Sequence, residues 1–303
     1  MKALVIGFGS IGSRHVRVLK HLGLNTAVVS NREINQEHAY SNIFEAVADW
    51  NPDYAIIANR TTEHINAFEA LAEAGFRGIL LVEKPLFNRT QEFPRHNFSN
   101  VFVAYNLRFH PVISRLKELI EGKNILLTHA YVGQFLPSWR PGIDYRKVYS
   151  AIKSEGGGVL RDLSHELDYL NWLLGGWTKL AAIGGKFSNL EIDSEDTFSI
   201  LIKTPLCPSV SLQLNYLDSI NRRELTVITA DNTIVADIVN CSINLDGQVE
   251  KFICDSDYTY IAQHRAILAN QYEVLCSINQ GLDVLKIIDA AEVAAKKDIW
   301  VSA

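Results

Sequence analysis

A short apolar run that ends in Gly7-Phe8-Gly9-Ser10-Ile11-Gly12 and passes straight into an amphipathic stretch constrains this chain more than any other feature. Lys2–Ile6 reads as a strand, and the residues after it place Ile11, His15, Val18, Leu19 and Leu22 at helical spacing. Three glycines between such elements each have a use. Gly7 permits a tight turn, Gly9 lets the backbone approach a pyrophosphate, and Gly12 lets the helix pack closely on the strand. The exposed N–H groups at the helix start then face the anion. The competing reading is a glycine-rich βα turn with no ligand. A flavin site also competes, but the rest of the chain gives no sign of one.

The alternation continues for a hundred residues. Apolar runs at 26–29, 54–58, 78–82 and 101–104 are separated by helical stretches at Ile43–Trp50 and 63–74, with breakers at Asn51-Pro52 and Gly75. Strands alternating with helices of this length predict βαβ units and a parallel sheet. A helix is expected over 111–121, after which the texture changes. Residues 209–216 alternate polar and apolar, 224–229 and 233–237 flank a turn at Ala230-Asp231-Asn232, and Asp246-Gly247 joins 242–245 to 248–253 as a hairpin. Helices are expected at 271–278 and 282–297. Two domains follow, residues 1–121 and 122–303, the second built on a largely antiparallel sheet.

Composition narrows the partners. The 303 residues are 48% hydrophobic and 21% charged, with a formal charge of −5, the profile of a soluble globular protein with no basic surface for nucleic acid. No basic run exceeds two residues and no apolar run spans a bilayer, so neither a nucleic-acid nor a membrane partner is expected. The apolar N-terminus is too short for a signal peptide. Cys207, Cys241, Cys254 and Cys276 form no CxxC pair and read as reduced, structural thiols, which points to the cytoplasm.

The second strand ends in Ser30-Asn31-Arg32, where an NAD site usually carries an acid about 20 residues past the glycines. A hydroxyl followed by a guanidinium suits a 2′-phosphate, so NADP(H) is preferred over NAD(H), against the alternative of a solvated loop Arg. Lys84 follows the run 78–82 and precedes Pro85, at the strand end that faces the ligand crevice of an open α/β sheet. Further on, Gly156-Gly157-Gly158 opens a helical stretch with Asp162, His165 and Asp168 at i, i+3 and i+6. A histidine oriented by a carboxylate can move a proton near neutral pH. The plain alternative is a packed His beside helix-terminal acids. A metal on His165 finds no second His or Cys cluster in support, and no metal is expected.

With these motifs in order, the chain resembles the glucose–fructose oxidoreductase / inositol dehydrogenase (Gfo/Idh/MocA) family. Gly7–Gly12, Asn59-Arg60-Thr61-Thr62-Glu63-His64, Glu83-Lys84-Pro85, Tyr105-Asn106-Leu107-Arg108-Phe109-His110-Pro111 and residues 156–176 carry the resemblance. It implies an N-terminal Rossmann domain and a C-terminal α+β domain with an open sheet, often a homodimer or homotetramer. It implies that Lys84 binds the reacting hydroxyl, that His165 exchanges its proton with Asp162 nearby, and that Asn59, Arg60, His64 and Glu83 lie near the cofactor. Hydride would pass between nicotinamide and a carbinol or keto carbon of a sugar, cyclitol or sugar derivative. Two departures stand out: the family separates its Asp and His by four positions, here three, so Asp162 or Asp168 could partner His165; and the segment before Val101 carries Pro94, which argues against the family's helix there.

The stretch 136–150 mixes Trp139, Arg140 and Tyr149 just before the glycines, which suits stacking on a sugar face and holding a carboxylate or phosphate. Arg108 and Asp168 are expected as further substrate ligands, and the family resemblance implies an acidic or nucleotide-linked sugar. An oligomer-facing or lid loop is the alternative. A non-catalytic cofactor-binding sensor of the same fold is the rival to an enzyme, as is chemistry that retains and recycles the cofactor. A pure binder needs neither Lys84 nor His165.

Overall fold

In a computed structural model that describes residues 1–303, the chain divides into two compact units, each assembled from two stretches: 1–106 with 256–282, and 107–255 with 283–303. The sequence reading places one boundary after residue 121. Residues 256–282 return to the first unit because the helix Tyr258–Leu268 packs on the helix that follows the glycine loop.

The first unit runs β1 (Lys2–Ile6), α1 (Ser10–His21), β2 (Asn25–Val29), β3 (Ala39–Tyr40), α2 (Ile43–Trp50), β4 (Tyr54–Ile57), α3 (His64–Glu73), β5 (Ile79–Val82) and β6 (Asn100–Val103). All β1–β6 pairings are parallel, in the order β6-β5-β4-β1-β2-β3, and the short strand Cys276–Ser277 adds an antiparallel edge to β6. Residues Ala3–Ile6, Tyr54–Ile57 and Ile79–Val82 are buried throughout, as a sheet covered on both faces requires. The chain moves from β1 to β2 on one side and resumes at β4 on the other, so the strand order reverses between β1 and β4. Ligands of open α/β sheets bind at that crevice. Residues 87–98 form no helix, as Pro94 leads one to expect.

The second unit opens with α4 (Pro111–Ile120) and β7 (Ile125–Gly133). It continues through α5 (Val159–Asp162), α6 (Ser164–Leu173), β8 (Lys179–Gly185), β9 (Thr197–Lys203), β10 (Val210–Asn215), β11 (Arg222–Thr229), β12 (Thr233–Asp237), β13 (Ser242–Leu245) and β14 (Gln248–Lys251). Its nine-stranded sheet has the order β14-β13-β12-β11-β7-β10-β9-β8, closed by Val301–Ser302, and only β7–β10 is parallel. β9 alternates buried Phe198, Ile200 and Ile202 with exposed Ser199, Leu201 and Lys203, the period of a sheet covered on one face.

One expected helix does not form. Residues 271–278 make a turn and an edge strand, because Leu275 and Cys276 are buried through the pairing with β6. The helix that does form nearby, Tyr258–Leu268, has almost no amphipathic signature to find. No helix is long and apolar enough to cross a membrane.

Candidate active site

The carboxyl ends of β1, β4 and β5 carry Gly7–Gly12, Asn59-Arg60 and Glu83-Lys84 to one edge of the parallel sheet. Gly7 has φ +96°, and a Cβ there would lie 2.6 Å from the Asn59 nitrogen. A Cβ on Gly12 would overlap the Gly7 carbonyl oxygen. A Cβ on Gly9 would meet nothing within 4 Å. Two glycines therefore serve the fold, and the third keeps open space in front of the first turn of α1. No side chain caps α1 and no acid lies in its first turn.

Ser30, Asn31 and Arg32 follow β2, where the Arg32 N–H donates to Ser30 Oγ at 3.1 Å and Asn31 and Arg32 are exposed. Arg60 is exposed beside Asn59. His64 is buried at the start of α3 and donates Nδ1–H to the Leu86 carbonyl at 3.1 Å, and burial lowers its pKa. It thus braces the segment that follows Lys84.

A buried chain of side chains fixes the Glu83-Lys84-Pro85 corner. His15 Nε2 lies 2.8 Å from Glu83 Oε1, His15 Nδ1 lies 2.9 Å from His264 Nε2, and His264 Nδ1 lies 2.9 Å from the Tyr54 hydroxyl. An ionised Glu83 accepts only, so His15 Nε2–H donates to it. Burial, helped by His15, pushes the His264 pKa well below the usual range, so His264 is neutral and gives the chain one N–H and one lone pair. Glu83 Oε2 then accepts the Lys84 N–H at 3.1 Å, so the backbone carrying Lys84 is held from beneath.

In the second unit the helix expected after Gly156-Gly157-Gly158 is two helices, broken at Leu163 (φ −99°, ψ 27°). Asp162 ends the first and His165 lies in the first turn of the second, so they do not share one regular helix. Asp162 Oδ2 accepts the Tyr216 hydroxyl at 2.6 Å, and the Tyr149 hydroxyl also bonds this carboxylate. Burial and Asp162 raise both phenols well above their usual pKa, so both are donors at neutral pH. Trp139 sets its edge on Tyr216, with ring centroids 5.1 Å apart, and the Arg140 guanidinium lies 5.4 Å from the Tyr149 ring centroid. Trp139, Arg140, Tyr149 and Asp162 are therefore one cluster, joined by Tyr216, which the sequence reading did not single out.

Two expected substrate ligands are placed otherwise. Arg108 and Asp168 are 1% and 2% exposed, with Nε–Oδ2 at 2.9 Å and Nη2–Oδ1 at 2.7 Å. That bidentate bond occupies both carboxylate oxygens and half the guanidinium fork, and Trp172 covers the guanidinium at 5.1 Å. The pair is an internal brace between the Asn106–Phe109 turn and α6, a correction to the sequence reading.

Close approach explains the glycine run better than flexibility does. A Cβ on Gly157 would overlap the Tyr149 carbonyl oxygen, and one on Gly158 (φ +115°) would overlap the Glu195 carboxylate. Glu195 accepts from the Leu160 N–H at the start of α5, and burial raises its pKa to about 7. Between the unfolded value of 4.5 and 7 the native state holds a proton that the unfolded chain has lost, so stability falls as pH rises through this window and levels off above it. At about 1.4 kcal/mol per unit, Glu195→Gln should leave stability near pH 4.5 unchanged and raise it by about 3 kcal/mol at pH 8. Urea titrations at the two pH values measure this, and an equal effect at both would exclude it.

Residues 1–97 match the family described as "Oxidoreductase family, NAD-binding Rossmann fold", and residues 113–235 match its "GFO/IDH/MocA C-terminal domain". The chain belongs to the Gfo/Idh/MocA family. Among family relatives, this Gfo/Idh/MocA protein is 28% identical to levoglucosan dehydrogenase of Pseudarthrobacter phenanthrenivorans over 51% of its length, and 26% identical to YteT of Bacillus subtilis over 41%. Those alignments span 43% and 30% of the two relatives' own length. A solved levoglucosan dehydrogenase in complex with NADH and levoglucosan superposes with a TM-score of 0.85 at 18% identity, covering all of this chain and 99% of that one.

The dinucleotide that the family binds fits the residues present. Open space at Gly9, uncapped N–H groups at the start of α1 and the absence of an acid there suit a pyrophosphate. The Gfo/Idh/MocA signature also leaves out residues that the geometry brings in. His15, placed by the sequence only as one position of an apolar helix face, touches Glu83. A histidine on such a face is a signal that could have found it. Tyr54, Tyr216, Glu195 and His264 carry no local signal.

Proposed function

We propose that this protein is an NAD(P)(H)-dependent oxidoreductase of sugars or sugar derivatives. The observation that carries the reading is the sheet edge on which Gly9, with open space before it, and Lys84, braced through Glu83, His15, His264 and Tyr54, lie at strand ends flanking the reversal of strand order. Bound nicotinamide would supply the hydride acceptor or donor. The Lys84 ammonium holds the oxygen of the reacting carbinol and favours its alkoxide form. His165 takes the hydroxyl proton in oxidation and returns it in reduction, with Asp162 accepting the Tyr149 and Tyr216 hydrogen bonds so that both phenol oxygens stand as acceptors for neighbouring sugar hydroxyls. Trp139 and Arg140 supply an apolar face and a cation for an acidic or nucleotide-linked substituent. Solved relatives holding NADH with levoglucosan or with L-sorbose support a sugar-like substrate.

NADPH is the preferred cofactor on this reading, because Arg32 is exposed after β2 and no carboxylate precedes it there. Exposed Ile183, Leu201 and Leu127 on the open sheet support a homo-oligomer, in which a second copy covers them. The test is calorimetric titration of NADPH and NADH into wild type and Gly9→Ala, followed by a sugar screen with the tighter cofactor. Wild type should bind NADPH more tightly. Gly9→Ala should fold normally, since its Cβ meets no protein atom, and should lose about tenfold or more in cofactor affinity. Tighter NADH binding would overturn the NADPH preference, and binding of neither would overturn the function.

A further inference from the structure

The four cysteines are scattered in sequence, yet two of them meet a histidine in space. Cys241 ends the turn between β12 and β13, and Cys254 lies three residues beyond β14, on the stretch where the chain leaves the second unit. His110 stands immediately before α4. His110 Nε2 is 3.8 Å from Cys241 Sγ, and the ligand atoms of His110, Cys241 and Cys254 all lie within 4.8 Å of one another. Tetrahedral coordination with a metal–sulfur distance of about 2.3 Å and a metal–nitrogen distance of about 2.0 Å needs edges of about 3.6–3.8 Å. The cluster is within an ångström of that size.

We propose that His110 Nε2, Cys241 Sγ and Cys254 Sγ form a binding site for a borderline-soft divalent cation of the zinc class, with the fourth position taken by water. Softness follows from the two sulfurs, which exclude magnesium and calcium as natural occupants. Three independent features fit this use. His110 is buried, and it presents Nε2 toward the Cys241 sulfur. Cys241 holds a left-handed backbone (φ +50°), which costs a non-glycine residue about 1 kcal/mol. The Phe252 N–H donates to the Cys241 carbonyl at 2.8 Å, which seats the segment bearing Cys254 beside the turn.

The charges are consistent. Burial, with Arg223 nearby, lowers the His110 pKa to about 4, so the imidazole presents a lone pair at neutral pH. Burial beside Cys241 raises the Cys254 thiol to about 11, so it is protonated until a cation arrives. Bound as thiolates, the two sulfurs balance the charge of one divalent cation, so the filled site is neutral overall. Arg223 is itself paired, 2.8 Å from buried Glu166. The site would pin the β12–β13 turn, the exit from β14 and the start of α4 together.

The experiment uses full-length protein reduced with a phosphine and stripped of metal, titrated with cobalt(II) and then zinc(II). Wild type should take up one equivalent of cobalt with a thiolate-to-cobalt charge-transfer band, which zinc abolishes by displacement. Cys241→Ser/Cys254→Ser should lose the band and at least about a hundredfold in zinc affinity, and His110→Ala should weaken it. Cys207→Ala should keep both. Zinc should raise the melting temperature of wild type and leave that of the double variant unchanged, with metal-free melts that agree showing that the variant folds. Absence of the band in reduced wild type, equal zinc affinity in the double variant, or a Cys241–Cys254 disulfide that persists under phosphine would each overturn the site.

Discussion

Lys84→Ala should lower kcat/KM about a thousandfold on whichever sugar supports turnover, close to 4 kcal/mol of transition-state stabilisation, while calorimetry finds cofactor affinity little changed. The separation is expected because the two tasks rest on different atoms. Cofactor grip depends on open space at Gly9 and backbone N–H groups at the start of α1, none of which Lys84 supplies. On the proposed mechanism the ammonium acts on the carbinol oxygen, and its position depends on the Lys84 backbone, which Glu83 and the His15–His264–Tyr54 chain hold. His165→Ala should cost turnover on a similar scale and in addition alter the pH profile, since it removes the group proposed to move the proton. Normal turnover in both variants would sink the assignment. Intact cofactor binding with no turnover on any sugar in wild type would instead favour the sensor reading.

The parallel sheet was legible because its signals are local: apolar runs of strand length, helices between them, and glycines at a strand–helix joint. The second sheet was legible where strands meet at short turns, as at Asp246-Gly247, and where one strand alternates polar and apolar residues, as over 209–216. Strand β7 escapes a sequence reading because its partners are remote; it pairs with β10 and β11, some eighty to a hundred residues on. The same reason hid much of the site. Lys84 and His165 sit in motifs, whereas Tyr216 reaches Asp162 across 54 residues and His264 reaches His15 across 249. Arg108 and Asp168 look like ligands in a list of charged residues. Only burial, which one sequence does not display, turns them into a brace.

That brace sets the largest stability effect expected outside the reaction itself. Arg108→Met should destabilise the protein by about 3–5 kcal/mol, because it leaves a carboxylate that is 2% exposed without the guanidinium that bonds both its oxygens. Water cannot reach Asp168 to compensate, so the cost is that of a buried ion pair broken on one side rather than of a lost surface ion pair, which would be at most about 1 kcal/mol. Trp172 also loses the cation stacked on its ring, although Lys117 lies over the same ring at 5.4 Å and keeps part of that interaction. Arg108→Met/Asp168→Leu should recover most of the loss, since removing both partners leaves no charge to solvate and a side chain of similar bulk in each place. Urea midpoints at constant m-value measure all three proteins. If Arg108 instead met substrate directly, the single variant would keep its midpoint and lose KM, the opposite of what a buried brace requires.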